Sequence, residues 1–205
     1  GAEQPVLSNI NFTAKAGQTT AFIGSTGSGK STLINLIPKF FVPTTGNIYI
    51  DDNDINDLSF ESLYSLIGYV PQQGVLFSGT IADNIAFGKG SSLETIEESA
   101  KIAQASNFIE SFDKQYDSEI AQGGTNVSGG QRQRLSIARA INKQPKIFIF
   151  DDSFSALDYQ TDKVLRKALE DVSATKLIVA QRINTIINAD QIIVLNNGEI
   201  VGVGT

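Results

Sequence analysis

The residues with the most chemical content form one short run, Gly24-Ser25-Thr26-Gly27-Ser28-Gly29-Lys30-Ser31-Thr32. Its spacing, G-x-x-x-x-G-K-[ST], is that of a loop built to cradle phosphates between a strand and a helix. Glycines 24, 27 and 29 let backbone N–H groups converge on phosphate oxygens without a Cβ in the way. A helix starting there points its positive end at the same anion. Lys30 is placed to reach β- and γ-phosphates, and the Ser31 hydroxyl to ligate Mg²⁺. Residues 24–32 therefore predict a site for a nucleoside triphosphate. A second carboxylate-bearing element belongs with it. The apolar run Ile147-Phe148-Ile149-Phe150 reads as a strand covered on both faces and delivers Asp151 at its C-terminal end. There Asp151 can hold Mg²⁺, directly or through water, opposite Ser31.

Composition narrows the remaining chemistry. The chain has 205 residues with no histidine and no cysteine. Histidine general bases, Ser–His triads, thiolate catalysis, disulfides and His- or Cys-based metal sites are excluded. Carboxylates, lysine, hydroxyls, amides and backbone are left. The length suits one domain, or one with a sub-lobe. Hydrophobic residues at 41% and charged residues at 19% belong to an ordinary globular chain. No apolar run approaches the roughly 20 residues of a membrane helix. Sixteen basic against 22 acidic side chains give a net charge of −6, which provides no footprint for nucleic acid or an anionic membrane surface. With no methionine and no leader before Gly1, the sequence reads as a segment of something larger.

The elements that must position these residues follow from periodicity. Residues 6–12 and 19–23 alternate as strands around a turn at Ala16-Gly17, and 33–37 continue the phosphate loop as a buried helix bounded by Pro38. Residues 46–51 read as a strand, 58–66 as a helix and 67–70 as a strand. From about Gly79 the texture becomes helical, at 80–86, 93–105 and 128–141, with no strand among them. Strands return at 147–150, 177–180 and 192–195, with a helix at 158–169. Asn197-Gly198 predicts a hairpin turn into 199–203. The order is αβ core, helical insert, αβ core.

Between the two phosphate-site elements lies Val127-Ser128-Gly129-Gly130-Gln131, followed by Arg-Gln-Arg-Leu-Ser-Ile-Ala-Arg139. Ser128 and Gln131 have the spacing of a capping box, and the two glycines leave that helix end open. This run resembles the L-S-G-G-Q signature of ATP-binding cassette (ABC) ATPases. The rest of the chain is similar in order and spacing. Gln72, after Val70-Pro71, resembles the family's Q-loop glutamine, a Mg²⁺ and water ligand. Ser155-Ala-Leu-Asp158 resembles its D-loop, although Asp158 also suits a helix N-cap. The stretch from Leu76 to Ile85 resembles the exporter branch, in which this surface docks coupling helices of a transmembrane domain.

The resemblance implies an α/β fold: a P-loop NTPase (RecA-like) core, residues 1–78 and 142–205, with an antiparallel β subdomain and an inserted helical subdomain at 79–141. It implies ATP and Mg²⁺ as cofactors, held by residues 24–32, Gln72 and Asp151. It further implies head-to-tail pairing with a second such domain, so that Ser128, Gly129, Gly130 and Gln131 contact a nucleotide held by the partner. The transmembrane domain is expected N-terminal in the parent chain, placing these residues at the cytoplasmic face of a membrane. An adenine-stacking aromatic is expected upstream of Gly1. Phe12 fits a core-facing strand residue better.

Two positions depart from the family pattern. Asp152 stands where the family has a glutamate that polarises the attacking water; losing one methylene withdraws the carboxylate by roughly 1.5 Å. Gln181 stands where it has a histidine against the γ-phosphate, and an amide carries no positive charge toward the transition state. Both fall on the site that uses this chain's own P-loop, whereas the signature is intact apart from Val127 for leucine. That asymmetry resembles the degenerate-site subunit of heterodimeric multidrug exporters, which points to firm ATP binding, slow hydrolysis and a different subunit as partner. A homodimeric exporter with slow turnover and a soluble, non-transport ABC ATPase remain open. No residue identifies the transported molecule.

Overall fold

The computed structural model describes residues 5–88 and 90–205. In chain order the elements begin with β1 (Thr19–Ile23), α1 (Lys30–Leu36), β2 (Tyr49–Ile50), β3 (Asn53–Asp54), α2 (Phe60–Leu66) and β4 (Ile67–Val70). Next come β5 (Gly79–Thr80), α3 (Ile81–Ala86), α4 (Leu93–Ile102), α5 (Ser106–Glu110), β6 (Glu119–Ile120) and α6 (Gly129–Asn142). The chain closes with β7 (Ile147–Asp151), α7 (Tyr159–Glu170), β8 (Thr175–Val179), β9 (Gln191–Asn196) and β10 (Glu199–Gly204). Two compact units emerge: Gly1–Ile67 with Lys146–Asp152 and Ala174–Thr205, and Gly68–Pro145 with Ser153–Ser173.

The first unit is built on a mixed sheet whose strands run β10-β9-β1-β8-β7. β1 lies parallel to both β8 and β9, and β7 parallel to β8; only β9–β10 is antiparallel. Phe22, Phe148 and Phe150 are fully buried, as continuous apolar runs in a parallel sheet require, and α1 adds Leu33 and Ile34. Because β1, β8 and β7 are parallel neighbours, their C-terminal ends share one edge. Gly24, Gln181 and Asp152 follow those ends, where open α/β sheets place their ligands. The α/β class is as the sequence indicates, with the β2–β3 and β9–β10 hairpins as its antiparallel parts.

Three sequence expectations in this unit turn out differently or sharpen. Residues 6–12 form no strand: Asn9 takes a left-handed φ of 51°, and the Ser8 N–H donates to Gly198 O at 2.8 Å. The segment crosses the Asn197-Gly198 turn so closely that a Cβ on Gly198 would lie 2.2 Å from Val6 O. Phe12, half-buried, packs edge-on against the buried Phe22, with ring centroids 5.3 Å apart. The strand at 46–51 shortens to β2, because Asp51 and Asp52 at φ 47° and 63° make a tight hairpin turn into β3. The Asn197-Gly198 turn is found as expected, at φ 45° and 79°.

The second unit is mainly helical, with α6 packed against α3 and α4, and α7 against α4. Ile81, Ile85, Ala100, Ile109 and Leu135 are at most 1% exposed, and burying one such Ile or Leu contributes about 2 kcal/mol. A capping box starts α3, with the Asp83 N–H donating to Thr80 Oγ1 and the Thr80 N–H to Asp83 Oδ2. The expectation of no strand here is corrected by β5 and β6, which pair Gly79 with Ile120. The helix expected over 93–105 ends at Ile102, because Gln104 adopts φ 58° and the Ala105 N–H returns to Ala100 O at 2.7 Å. The division at Ile67/Gly68 lies upstream of the 78/79 boundary expected from sequence, and residues 153–173 join the second unit. The cause is bonding: Gln133 on α6 holds the main chain at Pro71 and Gly74, and Ser153 Oγ donates to Val70 O at 2.7 Å.

Candidate functional site

The phosphate loop of the first unit is closed around its own lysine. Lys30 is 8% exposed, and its Nζ donates to Gly24 O at 2.8 Å, Ser25 O at 2.7 Å and Ser28 Oγ at 3.3 Å. Burial pushes its pKa down, and the charges of Asp152 and Asp151 pull it back up. The ammonium thus sits in the field of both carboxylates. Gly29 is the N-cap of α1 at φ 97°, and as a glycine it supplies no side-chain cap to that helix start. A Cβ on Gly29 would lie 2.6 Å from Leu7 Cδ2, and one on Gly24 2.1 Å from Leu195 O, so both positions demand glycine. Ser25, Thr26 and Gly27 are exposed along the rim, Ser28 is buried and Thr32 is half-buried on α1.

Across the same edge, the Ser31 hydroxyl donates to Asp151 Oδ1 at 2.8 Å. Hydroxyl and carboxylate oxygens are the hard donors that Mg²⁺ prefers. Among the described residues no group of three or more acidic, histidine or cysteine side chains gathers to hold a metal ion. A Mg²⁺ ion here fits the pattern of one carboxylate plus nucleotide phosphates rather than an all-protein cage.

The two residues that depart from the pattern touch each other. Gln181 Nε2 donates to Asp152 Oδ2 at 2.8 Å. Asp152 is 7% exposed and holds a left-handed φ of 49°, fixed by its own N–H donating to Val179 O at 3.1 Å. A non-glycine residue in that conformation stores about 1 kcal/mol or more of strain, tolerated best by Asp and Asn. Gln181 is exposed, on the segment leaving β8. One oxygen of the Asp152 carboxylate is therefore engaged by a neutral amide.

The first unit thus brings together residues 24–32, Asp151, Asp152 and Gln181. The other candidates belong to the second unit. Gln72 is exposed, just beyond β4. Ser128 caps α6 with the expected reciprocal pair: its Oγ accepts from the Gln131 N–H at 3.2 Å, and Gln131 Oε1 accepts from the Ser128 N–H at 2.8 Å. A Cβ on Gly129 would meet nothing within 4 Å, and one on Gly130 only Ala156 O at 3.6 Å. Packing within the chain does not account for two glycines opening this helix. Asp158 is an N-cap, accepting from the N–H groups of Gln160 and Thr161 at 3.1 and 3.0 Å.

Sequence reasoning puts Asp152 and Gln181 on one site but not in contact, since the two lie 29 positions apart. It also missed Gln133, 1% exposed, whose signal was a polar residue on the helix face shared by Ile137, Ala140 and Ile141. Asn84, equally buried, binds the main chain of Phe77 and accepts from Arg139.

The sheet edge, its glycine loop and the Ser31–Asp151 pair define a P-loop NTPase of the α/β class. Residues 7–155 match the family model described as ABC transporter, and the chain belongs to that family. It is 48% identical over its whole length to an ABC transporter ATP-binding protein of Mycobacterium tuberculosis, covering 36% of that protein. It is 46% identical over 99% of its length to a Staphylococcus aureus protein named as a multidrug export ATP-binding/permease protein, again covering 36%. A bacterial Atm1-family ABC exporter solved with ATP bound superposes with a TM-score of 0.96 at 36% identity, over all of this chain and 37% of that one. The chain thus spans about a third of the length of these relatives. No helix among the described residues is long and apolar enough to cross a membrane.

Proposed function

We propose that this chain is the ATP-binding motor domain of an ABC exporter, and that its own P-loop holds ATP more firmly than it hydrolyses it. The observation that carries the second half is the Gln181–Asp152 hydrogen bond at 2.8 Å beside Lys30 and Asp151. A base must come within about 3 Å of the proton it takes, and a displacement of about 1 Å can cost around a hundredfold in rate. Asp152 is one methylene short of glutamate, and a neutral amide occupies one of its oxygens. That amide brings no positive charge to the γ-phosphate.

The remaining roles follow from the chemistry of each group. Backbone N–H groups of residues 24–32 and the Lys30 ammonium would bind the phosphates, and Ser31, Asp151 and Gln72 would hold Mg²⁺. That ion, when bound, would neutralise phosphate charge. Ser128, Gly129, Gly130 and Gln131 serve a nucleotide on a second domain, a different subunit; the open space over the two glycines supports an approach from outside the chain. A docking face for transmembrane coupling helices is supported by Phe77 and Phe87, 44% and 57% exposed and stacked at 4.6 Å. The Arg139 guanidinium lies 5.0 and 5.4 Å from those rings, and its burial pushes its pKa down to about 10. The names of the exporter relatives support the same assignment, and with it a place on the cytoplasmic face of a membrane.

The test is ATP turnover by the full-length protein that carries this domain, prepared without any other subunit, unmodified and as Asp152→Glu with Gln181→His. The expected result is a gain of at least about tenfold in the double variant. Unmodified protein turning over as fast as the variant would refute the slow site.

A further inference from the structure

Gln133 lies within α6, and its side-chain amide is spent away from its own helix. Nε2 donates to Pro71 O at 3.0 Å, and Oε1 accepts from the Gly74 N–H at 2.7 Å. One buried side chain, 1% exposed, thereby holds both ends of Pro71-Gln72-Gln73-Gly74. The approach is close on the backbone side too, since a Cβ on Gly74 would lie 2.8 Å from Arg132 O and 3.1 Å from Gln133 Cα. Just upstream, Val70 O accepts from the fully buried Ser153 hydroxyl at 2.7 Å. Gln72 is exposed on a stretch of main chain pinned at either side of it. The same helix begins at the Ser128 cap, about 7.5 Å along its axis from Gln133.

A hydrophobic side chain would fill this position without leaving a buried polar group of its own to satisfy. Glutamine adds two bonds to the 71–74 main chain, and a buried amide left unpaired is costly, so the residue is matched to that loop. We propose that Gln133 is a positioning residue for Gln72: its amide locks the loop carrying Gln72 onto the helix whose N-terminus presents Ser128, Gly129 and Gly130, so that the two move as one piece. A displacement of the signature end is thereby passed to the residue proposed to contact Mg²⁺ and water. The proposal rests on that reading of Gln72.

The experiment uses the full-length protein with Gln133→Met, which keeps the volume but loses both bonds, and Gln133→Glu, which keeps the acceptor for Gly74. Amide hydrogen exchange over residues 72–77 should rise by about tenfold in Gln133→Met, and protection at Gly74 should survive in Gln133→Glu. Titration with a fluorescent ATP analogue, with Mg²⁺ and with EDTA, then gives the gain in affinity that Mg²⁺ provides. That gain should fall by about tenfold in Gln133→Met and equally in Gln72→Ala, with no further fall in the double variant and EDTA affinities unchanged. Unchanged exchange, multiplying losses, or equal losses with Mg²⁺ and with EDTA would overturn the proposal. A full Mg²⁺ gain in Gln72→Ala overturns the reading of Gln72 itself, a failure recognisable because Gln133 is intact in that protein.

Discussion

Lys30 shows how much of the site one residue carries. Its ammonium satisfies three acceptors of the loop that surrounds it, and two carboxylates counter part of its desolvation, which still holds its pKa below the ordinary lysine value. Entering phosphates would offer the ammonium anionic acceptors in place of the neutral carbonyl and hydroxyl oxygens it now contacts. Replacing Lys30 by alanine should therefore lower affinity for a fluorescent ATP analogue by at least about a hundredfold, two bonds to such acceptors being worth near 3 kcal/mol. A change of less than about threefold would contradict the placement of phosphates on this loop. At this scale the sequence was generous. The cradle and Asp151 were visible as residue types at fixed spacings, and both departures through the resemblance to the family. What spacing could not show was contact: Gln181 reaches Asp152 only because β7 and β8 are parallel neighbours, with Asp151 paired to Val179.

The elements were legible where local chemistry decides and obscure where tertiary packing does. The Asn197-Gly198 hairpin, the Ser128–Gln131 capping box and the continuous apolar run of β7 each follow from rules spanning a few residues. Residues 6–12 have strand alternation but are given over to crossing a turn. Asp51-Asp52 makes a tight hairpin without the usual Asn-Gly marker, and Gln104 breaks a helix that its composition would continue. Acid tests one of the legible elements. Asp158 caps α7 and Asp83 completes the capping box of α3, and hydrogen bonds from the Thr161 and Thr80 main-chain N–H groups hold each pKa below the ordinary aspartate value. A carboxylate depressed in the fold stabilises it above the unfolded value and loses that contribution as pH falls through the lower, folded value. Helicity followed by circular dichroism should thus fall on acidification below the ordinary aspartate range. Asp158→Asn, which caps without titrating, should flatten part of that loss; identical acid profiles would contradict the assignment.

At the scale of the whole molecule, the chain is about a third of the length of its relatives, and its P-loop site and the signature proposed to serve a partner are unequal. The signature cap is complete and open, whereas the P-loop site pairs a shortened acid with an uncharged amide. An assembly built from it should carry one nucleotide that persists and draw its turnover from the other site. The absence of histidine, first a bar to whole classes of chemistry, therefore bears on a single position. The decisive measurement is photolabelling of the full-length assembly with 8-azido-ATP carrying its label on either the α- or the γ-phosphate, after incubation with Mg²⁺. The account predicts that this chain retains both labels in equal amounts, long after Asp152→Glu/Gln181→His protein has lost the γ-label. Loss of the γ-label from the unmodified chain as fast as from that variant would contradict it.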